Sequence, residues 1–406
     1  MRVCVIGAGF AGLAAADVLA RGGADVTVLD ARDRVGGRVW TSQAPNGARI
    51  EMGAEFVTAG YTAVPEMAAR LGLELEPMGM SFTRREPRGG IGTTPVELDA
   101  ATTAVAAAVE SGQGDGLTVD QLLARLPIPA GARELIACRI AVSYAHPTDR
   151  LSATAVRELG ELFADTEARR VAGGNQRIAD RLAGELGDRV HLSTPVRRVE
   201  HTAAGVRIDG SLAVDACVVA VPAKATEAIE FDPPLPDWKR ETLARVVYGD
   251  AAKLFVPLQA VPEPSSVLSV PERFWTWTAR EGGAVAPVVS AFAGSAPAVE
   301  ALQVGRGPAT YRARTAALRP ELDLADGEVL STWPEGAYST GASPADARLR
   351  AEPVGRLAFA GEHTEGVWFA TMEGALRSGV RAAADVQSVA STSSSPAESP
   401  TTPTSA

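Results

Sequence analysis

The stretch Val3-Cys4-Val5-Ile6-Gly7-Ala8-Gly9-Phe10-Ala11-Gly12 runs from four consecutive apolar residues straight into spaced glycines. An uninterrupted apolar run is what a parallel strand buried on both faces requires. The glycines have distinct tasks. Gly7 allows the tight turn, Gly9 lets backbone approach a pyrophosphate, and Gly12 lets the following helix pack on the strand. That helix is expected to reach about Ala20, with Gly22-Gly23 closing it, and Asp25 to Leu29 reads as the second strand, ending on Asp30. Asp30 follows the glycines at close to the ~20-residue spacing of a carboxylate that bonds a ribose hydroxyl, and it disfavours the 2′-phosphate of NADP. The helix amino terminus adds N–H donors and a positive dipole end for phosphate. Residues 2–30 thus read as one βαβ dinucleotide-binding unit, and the fold class as α/β.

The next residues, Ala31-Arg32-Asp33-Arg34-Val35-Gly36-Gly37-Arg38, add two glycines and an arginine just beyond the ribose carboxylate. They form a second loop able to fold over the pyrophosphate, with Arg38 neutralising it. A plain NAD site does not need such a loop.

Farther out, residues 61 to about 165 look mainly helical. A short helix from Val64 is stopped by Gly72, residues 98–110 are alanine-rich, and Thr118-Val119-Asp120-Gln121 has capping-box spacing. A helix is expected from Gly173-Gly174 to about Leu186. Strands are expected near Val190–Leu192, Val196–Glu200, Gly205–Ile208 and Ala216–Val221. Beyond these come strands at Lys253–Pro257 and Val285–Phe292 and a helix near Pro308–Arg319. The chain closes with the apolar strand Leu357-Ala358-Phe359-Ala360 before Gly361-Glu362, and a helix from Glu373 to Val386. Residues 391–406, almost entirely Ser, Thr, Pro and Ala, read as a disordered tail.

At 406 residues the chain exceeds a single core, so two interleaved domains are expected. Its 46% hydrophobic and 22% charged residues are ordinary for a globular protein, and its net charge of −10 argues against a nucleic-acid or anionic-membrane partner. No apolar stretch approaches the ~20 residues of a membrane span. The first strand begins at Arg2, leaving no room for a signal peptide, so a reducing, cytoplasmic setting is expected. Cys4 and Cys217 lie in apolar runs and Cys138 in an expected helix. With no CxxC spacing, neither a disulfide framework nor a metal site is expected.

With these motifs in hand, the chain resembles the flavin-containing amine oxidases: monoamine, polyamine and L-amino-acid oxidases. The family's acid followed by A-R-x-R-x-G-G-R is matched by Asp30 through Arg38. The resemblance continues through Glu51-Met52-Gly53-Ala54-Glu55, the glycine pair Gly173-Gly174, Pro195-Val196, Gly361-Glu362-His363-Thr364, and Thr371-Met372-Glu373-Gly374-Ala375. It implies a Rossmann-like FAD-binding domain (1–60, 170–225 and 355–388) interleaved with an α+β substrate domain (61–169 and 226–354), followed by the tail 389–406. It implies FAD held by Gly7, Gly9, Phe10, Ala11, Gly12, Asp30, Ala31, Arg32, Gly37 and Arg38 at the pyrophosphate and ribose. Val196 would meet adenine, and Gly53, Ala54, Glu55, Gly361, Glu362, Thr371 and Met372 would lie along the flavin.

On the substrate side the resemblance makes Lys253 the lysine that holds a water on flavin N5 and assists reoxidation by dioxygen. The bland reading is a strand-end lysine reaching solvent. Trp333-Pro334-Glu335-Gly336-Ala337-Tyr338 resembles the segment that places an aromatic wall before the flavin, with Tyr338 facing it. Ala337 stands where monoamine oxidases attach the flavin through cysteine, so FAD is expected to be non-covalent. Thr371 stands where those enzymes have a second tyrosine, and Trp368 or Phe369 are candidates to compensate. Glu55 either attracts a substrate ammonium or bonds backbone near the flavin. Phe274-Trp275-Thr276-Trp277 lines the substrate cavity or packs a sheet face. Arg84, Arg85 and Arg280 are conceivable carboxylate clamps, though surface arginines are the commoner reading, and His363 reads as structural. The resemblance implies oxidation of an amine or amino-acid C–N bond to an imine, hydrolysed to a carbonyl, with dioxygen reduced to hydrogen peroxide. A desaturase or oxidase acting on a C–C bond, a flavoprotein isomerase and a silent FAD-bound scaffold remain as alternatives.

Overall fold

The computed structural model describes residues 1–155, 166–333, 339–340 and 344–392. Arg2–Ile6 lies at the centre of a five-stranded sheet in the order Leu357–Phe359, Ala216–Val219, Arg2–Ile6, Asp25–Leu29 and Val190–His191, with every neighbouring pair parallel. The apolar run of the first strand has the environment it demands: Val3 and Val5 face one core, Cys4 and Ile6 another. On the first face the helix Phe10–Arg21 packs against the closing helix Met372–Thr392, with Leu13, Ala15, Leu376 and Ala382 in one core. The second face is covered by a four-stranded sheet, Leu212–Val214, Val206–Ile208, Arg198–His201 and Glu230–Asp232. Cys4 and Cys217 are register partners on adjacent strands, both buried and both free thiols.

A second, six-stranded sheet runs Val329–Trp333, Ala251–Pro257, Val288–Gly294, Phe274–Thr278, Ser265–Ser269 and Glu86–Arg88. Its three central strands are buried along their whole length. Alternation sorts Ala252, Leu254 and Val256 to one face, against Phe274 and Tyr311. Lys253 therefore belongs to the opposite face, which carries Trp275 and Trp277. Helices Pro95–Glu110, Val119–Arg125 and Ala130–Tyr144 form a separate apolar cluster, and Thr118 and Gln121 make the expected capping box.

Several expectations need correction. The span from 61 to about 165, expected to be mainly helical, also holds strands: Leu75–Ser81 pairs antiparallel with Glu167–Val171, and Glu86–Arg88 edges the six-stranded sheet. In Leu75–Ser81, Met78 and Met80 are buried while Pro77 and Gly79 are exposed, a period of two in residues that break helices. Gly173 and Gly174 do not begin a helix, because both have positive φ (+86° and +106°), and the helix starts at Arg177. The strand expected at Val285–Phe292 is interrupted at Pro287, leaving a short hairpin strand, Ala284–Val285, and the long strand Val288–Gly294. The closing helix absorbs residues 391 and 392 of the expected tail, whose remainder lies outside the described residues. Among the described residues no helix is long and apolar enough to cross a membrane, and no group of His, Cys, Asp and Glu could hold a metal ion.

Candidate active site

The glycine turn after the first strand is steric necessity. Gly7 has φ +111°, and a Cβ at Gly12 would lie 1.9 Å from the Gly7 carbonyl oxygen, so no side chain fits where helix meets strand. Gly9 and Gly36 form an isolated parallel bridge, and a Cβ on Gly37 would stand 3.3 Å from the Gly9 Cα. The two glycine loops thus close on one another as bare backbone. Asp30 stitches them: its carboxylate accepts from the Ala8 amide at 2.6 Å and the Arg32 amide at 2.8 Å. Arg32 and Arg34 both donate to the Gly37 carbonyl. Thr194 donates its amide to the Asp30 carbonyl at 2.7 Å, which brings the segment carrying Val196 to the same end of the site.

Arg38 bridges to the far end of the chain, donating to Glu362 Oε2 at 2.5 Å. Burial pushes the Glu362 carboxyl upward, but Arg38, with help from His363, holds it well below the ordinary carboxylate range. The other oxygen, Glu362 Oε1, is buried and has no hydrogen-bond partner among the described residues. His363 is buried behind it; its ring abuts Gly361, its carbonyl accepts from Arg350 at 2.6 Å, and burial lowers its pKa. Tyr248, missed by the sequence reading, lies with its ring 5.8 Å below the Arg38 guanidinium and accepts from the Ala223 amide at 2.7 Å.

The segment Glu51–Glu55 joins this cradle to the six-stranded sheet. A Cβ at Gly53 would fall 1.9 Å from the Arg38 carbonyl oxygen and 3.4 Å from Trp333. Trp333 donates its indole N–H to the Met52 carbonyl at 2.7 Å. Lys253 donates to the carbonyls of Glu51 and Gly53 and to Glu55 Oε2, each at 2.8 Å. It does not reach solvent, being 5% exposed. Glu55 accepts from Trp277 Nε1 at 3.1 Å with Arg170 3.8 Å away, so both its oxygens are engaged within the protein. Glu51 accepts from the Asn175 amide and from Thr41, and burial, reinforced by the charge of Glu55, pushes its pKa up to about 7. Arg170, Asn175 and Thr41 carried no motif signal in the sequence, since a lone polar residue reveals its role only when folding surrounds it.

Other candidates fall elsewhere. Trp368 packs edge-on against Tyr61 at 5.3 Å and lies under Arg377. Thr371 accepts from the Gly374 amide at 3.0 Å and so caps the closing helix that starts at Met372. Phe369 is half-buried on the same loop. Trp275 and Trp277 stack at 4.3 Å and join Phe56 and Phe82 in one aromatic group. Arg85 lies 3.6 Å over the Trp275 ring and donates to the Phe82 carbonyl, whereas Arg84 and Arg280 are exposed. Tyr338 and Ala337 lie outside the described residues.

The same ordering of motifs recurs in known proteins. The family model for flavin containing amine oxidoreductase matches residues 10–131 and 132–387. A Mycobacterium tuberculosis protein described as a flavin-containing monoamine oxidase, AofH, is 31% identical over 95% of this chain and 96% of its own. The human flavin-containing amine oxidase B is 26% identical over 95% of this chain and 85% of its own. Among solved structures, cyclohexylamine oxidase from Brevibacterium oxydans superimposes with a TM-score of 0.83 at 23% identity, covering 96% of this chain and 99% of that one. A putrescine oxidase bound to putrescine gives the same TM-score, identity and coverage. The parallel sheet around Arg2–Ile6 is thus the Rossmann-like core of an amine oxidase fold, and the chain belongs to the flavin containing amine oxidoreductase family as a flavin-dependent amine oxidoreductase.

Proposed function

We propose that the chain binds FAD without a covalent bond and oxidises the C–N bond of a small amine or amino acid, with dioxygen as the electron acceptor. One observation carries this reading. Gly53 touches the cradle through the Arg38 carbonyl and, through its own carbonyl, receives Lys253 from the substrate-side sheet. Cofactor machinery and buried lysine meet on a single residue. The chain also fits FAD where it can be tested by shape and donors. Bare backbone faces bare backbone at Gly9 and Gly37, and the buried Glu362 Oε1 awaits a donor such as a ribityl hydroxyl.

In this reading the loops carrying Gly7, Gly9, Phe10, Ala11 and Gly12 offer amides to the pyrophosphate, and Asp30, Ala31 and Arg32 hold the ribose. Residues 1–60, 170–225 and 355–388 act as the FAD-binding unit, with 61–169 and 226–354 supplying the substrate side. Val196 lies against adenine, and Glu362 takes the ribityl chain. Thr371 and Met372 place the positive end of the closing helix toward the flavin. When bound, FAD supplies the two-electron chemistry. The balance is amine plus dioxygen to imine plus hydrogen peroxide, then imine plus water to carbonyl compound plus ammonia or a smaller amine. The protein's share is orientation and desolvation: Trp333, with Tyr338, walls the amine against the flavin, and Lys253 presents a fixed cation where dioxygen is reduced.

The test is anaerobic mixing of the FAD-loaded protein with a panel of amines, amino acids and polyamines, followed at the visible flavin band. At least one class should bleach it, and admitting air should restore the band with release of peroxide. Bleaching by none of the panel overturns the reading.

A further inference from the structure

Lys253 has no spare hydrogen, so it does not also hold the water on flavin N5 that the resemblance implies, and what it offers there is charge. An ammonium carries three N–H donors, and here three acceptors at 2.8 Å take them: the carbonyls of Glu51 and Gly53, and Glu55 Oε2. Of the three, only Glu55 brings charge. Glu55 is itself held from several sides. Asn175 Nδ2 donates to its carbonyl at 2.7 Å, Trp277 Nε1 donates to Oε1 at 3.1 Å, and Arg170 stands 3.8 Å from that same oxygen. Arg170 does not pull Glu55 away, because it is shared with Glu76 at 3.6 Å and Glu281 at 4.0 Å and donates to the Arg280 carbonyl. Lys253 and Glu55 are 5% and 4% exposed, so water screens their attraction little. With both oxygens committed inside the protein, Glu55 is badly placed to greet a substrate ammonium and well placed to fix a lysine.

We propose that Glu55 is a positioning residue: it pins the Lys253 ammonium in one orientation against the Glu51–Gly53 backbone, and thereby sets the rate at which dioxygen reoxidises the bound flavin. The proposal rests on the reading of Lys253 as the group that assists reoxidation. That step moves two electrons and two protons from reduced flavin and solvent to dioxygen, giving hydrogen peroxide, and negative charge grows on oxygen as the electrons arrive. A cation already held in place stabilises that charge without reorganising, whereas a wandering lysine does not. Glu55 acts through Lys253 alone.

The experiment uses FAD-loaded wild type, E55Q, K253M and E55Q/K253M. Each is reduced anaerobically with light and EDTA, so that no amine is needed, and then mixed with oxygenated buffer. K253M is expected to slow reoxidation on the order of 100-fold, the usual loss for one preorganised electrostatic group. E55Q should slow it by a smaller factor, and the double variant should be no slower than K253M. FAD affinity, read from flavin fluorescence, should be unchanged in E55Q, because the Glu55 oxygens are committed to Lys253 and Trp277 and not to the cofactor as the resemblance implies. Thermal melts of the four proteins give a second reading: E55Q should destabilise wild type more than the K253M protein, because only the former keeps a buried ammonium without its counter-charge.

Wild-type reoxidation in E55Q with slow K253M overturns the positioning role and leaves the lysine reading standing. Wild-type reoxidation in K253M sinks that underlying reading instead. Additive losses in the double variant, lost FAD affinity in E55Q, or a raised amine KM with unchanged reoxidation each overturn the proposal. Should E55Q not fold, W277F decides. It removes the indole bond to Glu55 Oε1 while keeping a ring against Trp275 and Phe56, and its expected slowing must vanish on the K253M background.

Discussion

Arg38 and Glu362, 324 residues apart in sequence, form an ion pair at 2.5 Å that ties the amino-terminal glycine loops to the strand that closes the sheet. The pair makes the proposed cofactor cradle a product of the whole fold, since neither end of the chain can present it alone.

Glu362→Gln preserves shape but strips Arg38 of its counter-charge. Removing one partner of a buried pair costs about 3 kcal/mol or more, so this variant should melt lower and retain less flavin. The sign with pH follows from the depressed Glu362 carboxyl. Its stabilisation is complete above the ordinary carboxylate range and is lost as the pH falls toward the lower folded value. Melts of wild type and E362Q should therefore converge on acidification from about pH 4 downward. A gap independent of pH would contradict the assignment.

Glu51 predicts the opposite trend. Burial pushes its carboxyl up to about 7, so between the ordinary value near 4.5 and about 7 the folded chain holds a proton that the unfolded chain has released. Stability then falls as the pH rises through that window and is flat above it. Glu51→Gln, which imitates the protonated form, should be more stable than wild type at pH 8, by an amount on the order of 3 kcal/mol at most, with the advantage gone by pH 5. Chemical denaturation at the two pH values checks it.

Gly12 and Gly53 make the steric case. In each, a Cβ would sit 1.9 Å from a carbonyl oxygen, of Gly7 and of Arg38 respectively. Gly12→Ala must push the helix off the strand, and Gly53→Ala must part the loop at Lys253 from the cradle. Both should cost more than about 3 kcal/mol, as overpacking against rigid backbone does at its upper end. Gly12→Ala is expected to yield flavin-free protein, and Gly53→Ala protein with weakened FAD binding, both read by absorbance of the purified chains.

The cradle was legible in sequence because its residues are dictated one by one by geometry. Gly7, Gly12, Asp30 and Arg38 each answer a local demand at fixed spacing. Lys253 was legible as an anomaly, a charge among apolar strand residues. Its partner Glu55, and the Trp277 and Arg170 that hold Glu55, come from three distant segments, and no periodicity announces such a meeting. Leu75–Ser81 was misread because its strand pairing lies with Glu167–Val171, nearly a hundred residues on, beyond the reach of local pattern.

Thr371 illustrates a residue whose position has two explanations. It stands where the resemblance expects a tyrosine, yet its hydroxyl accepts from the Gly374 amide at 3.0 Å and donates to the Trp368 carbonyl at 2.7 Å. Thr371→Val should cost about 1 kcal/mol, the worth of a helix cap, measured by urea unfolding. Thr371→Tyr restores a ring at the same loss of cap, so it should be similarly destabilised whatever it does to amine turnover. A Thr371→Val variant as stable as wild type would show that the cap contributes nothing.

The positions of the nucleophiles support the proposal that the flavin is held without a covalent bond. Cys4 and Cys217 are buried register partners within the parallel sheet, and Cys138 faces the Ser269 carbonyl at 3.7 Å on the helical side. Burial pushes the Cys138 thiol up to about 12, far from the thiolate that alkylation requires. His363 is buried against Gly361, and His201 is bonded to the Pro233 carbonyl. With alanine at 337, no thiol is offered at the position where monoamine oxidases form their link. Acid precipitation should leave all the flavin in the supernatant, and yellow colour in the washed pellet would refute this. A reversible ligand also stabilises by mass action, about 2.7 kcal/mol at a hundredfold excess over Kd. The melting temperature should therefore keep rising as free FAD is added past one equivalent, which a covalent flavin would not allow.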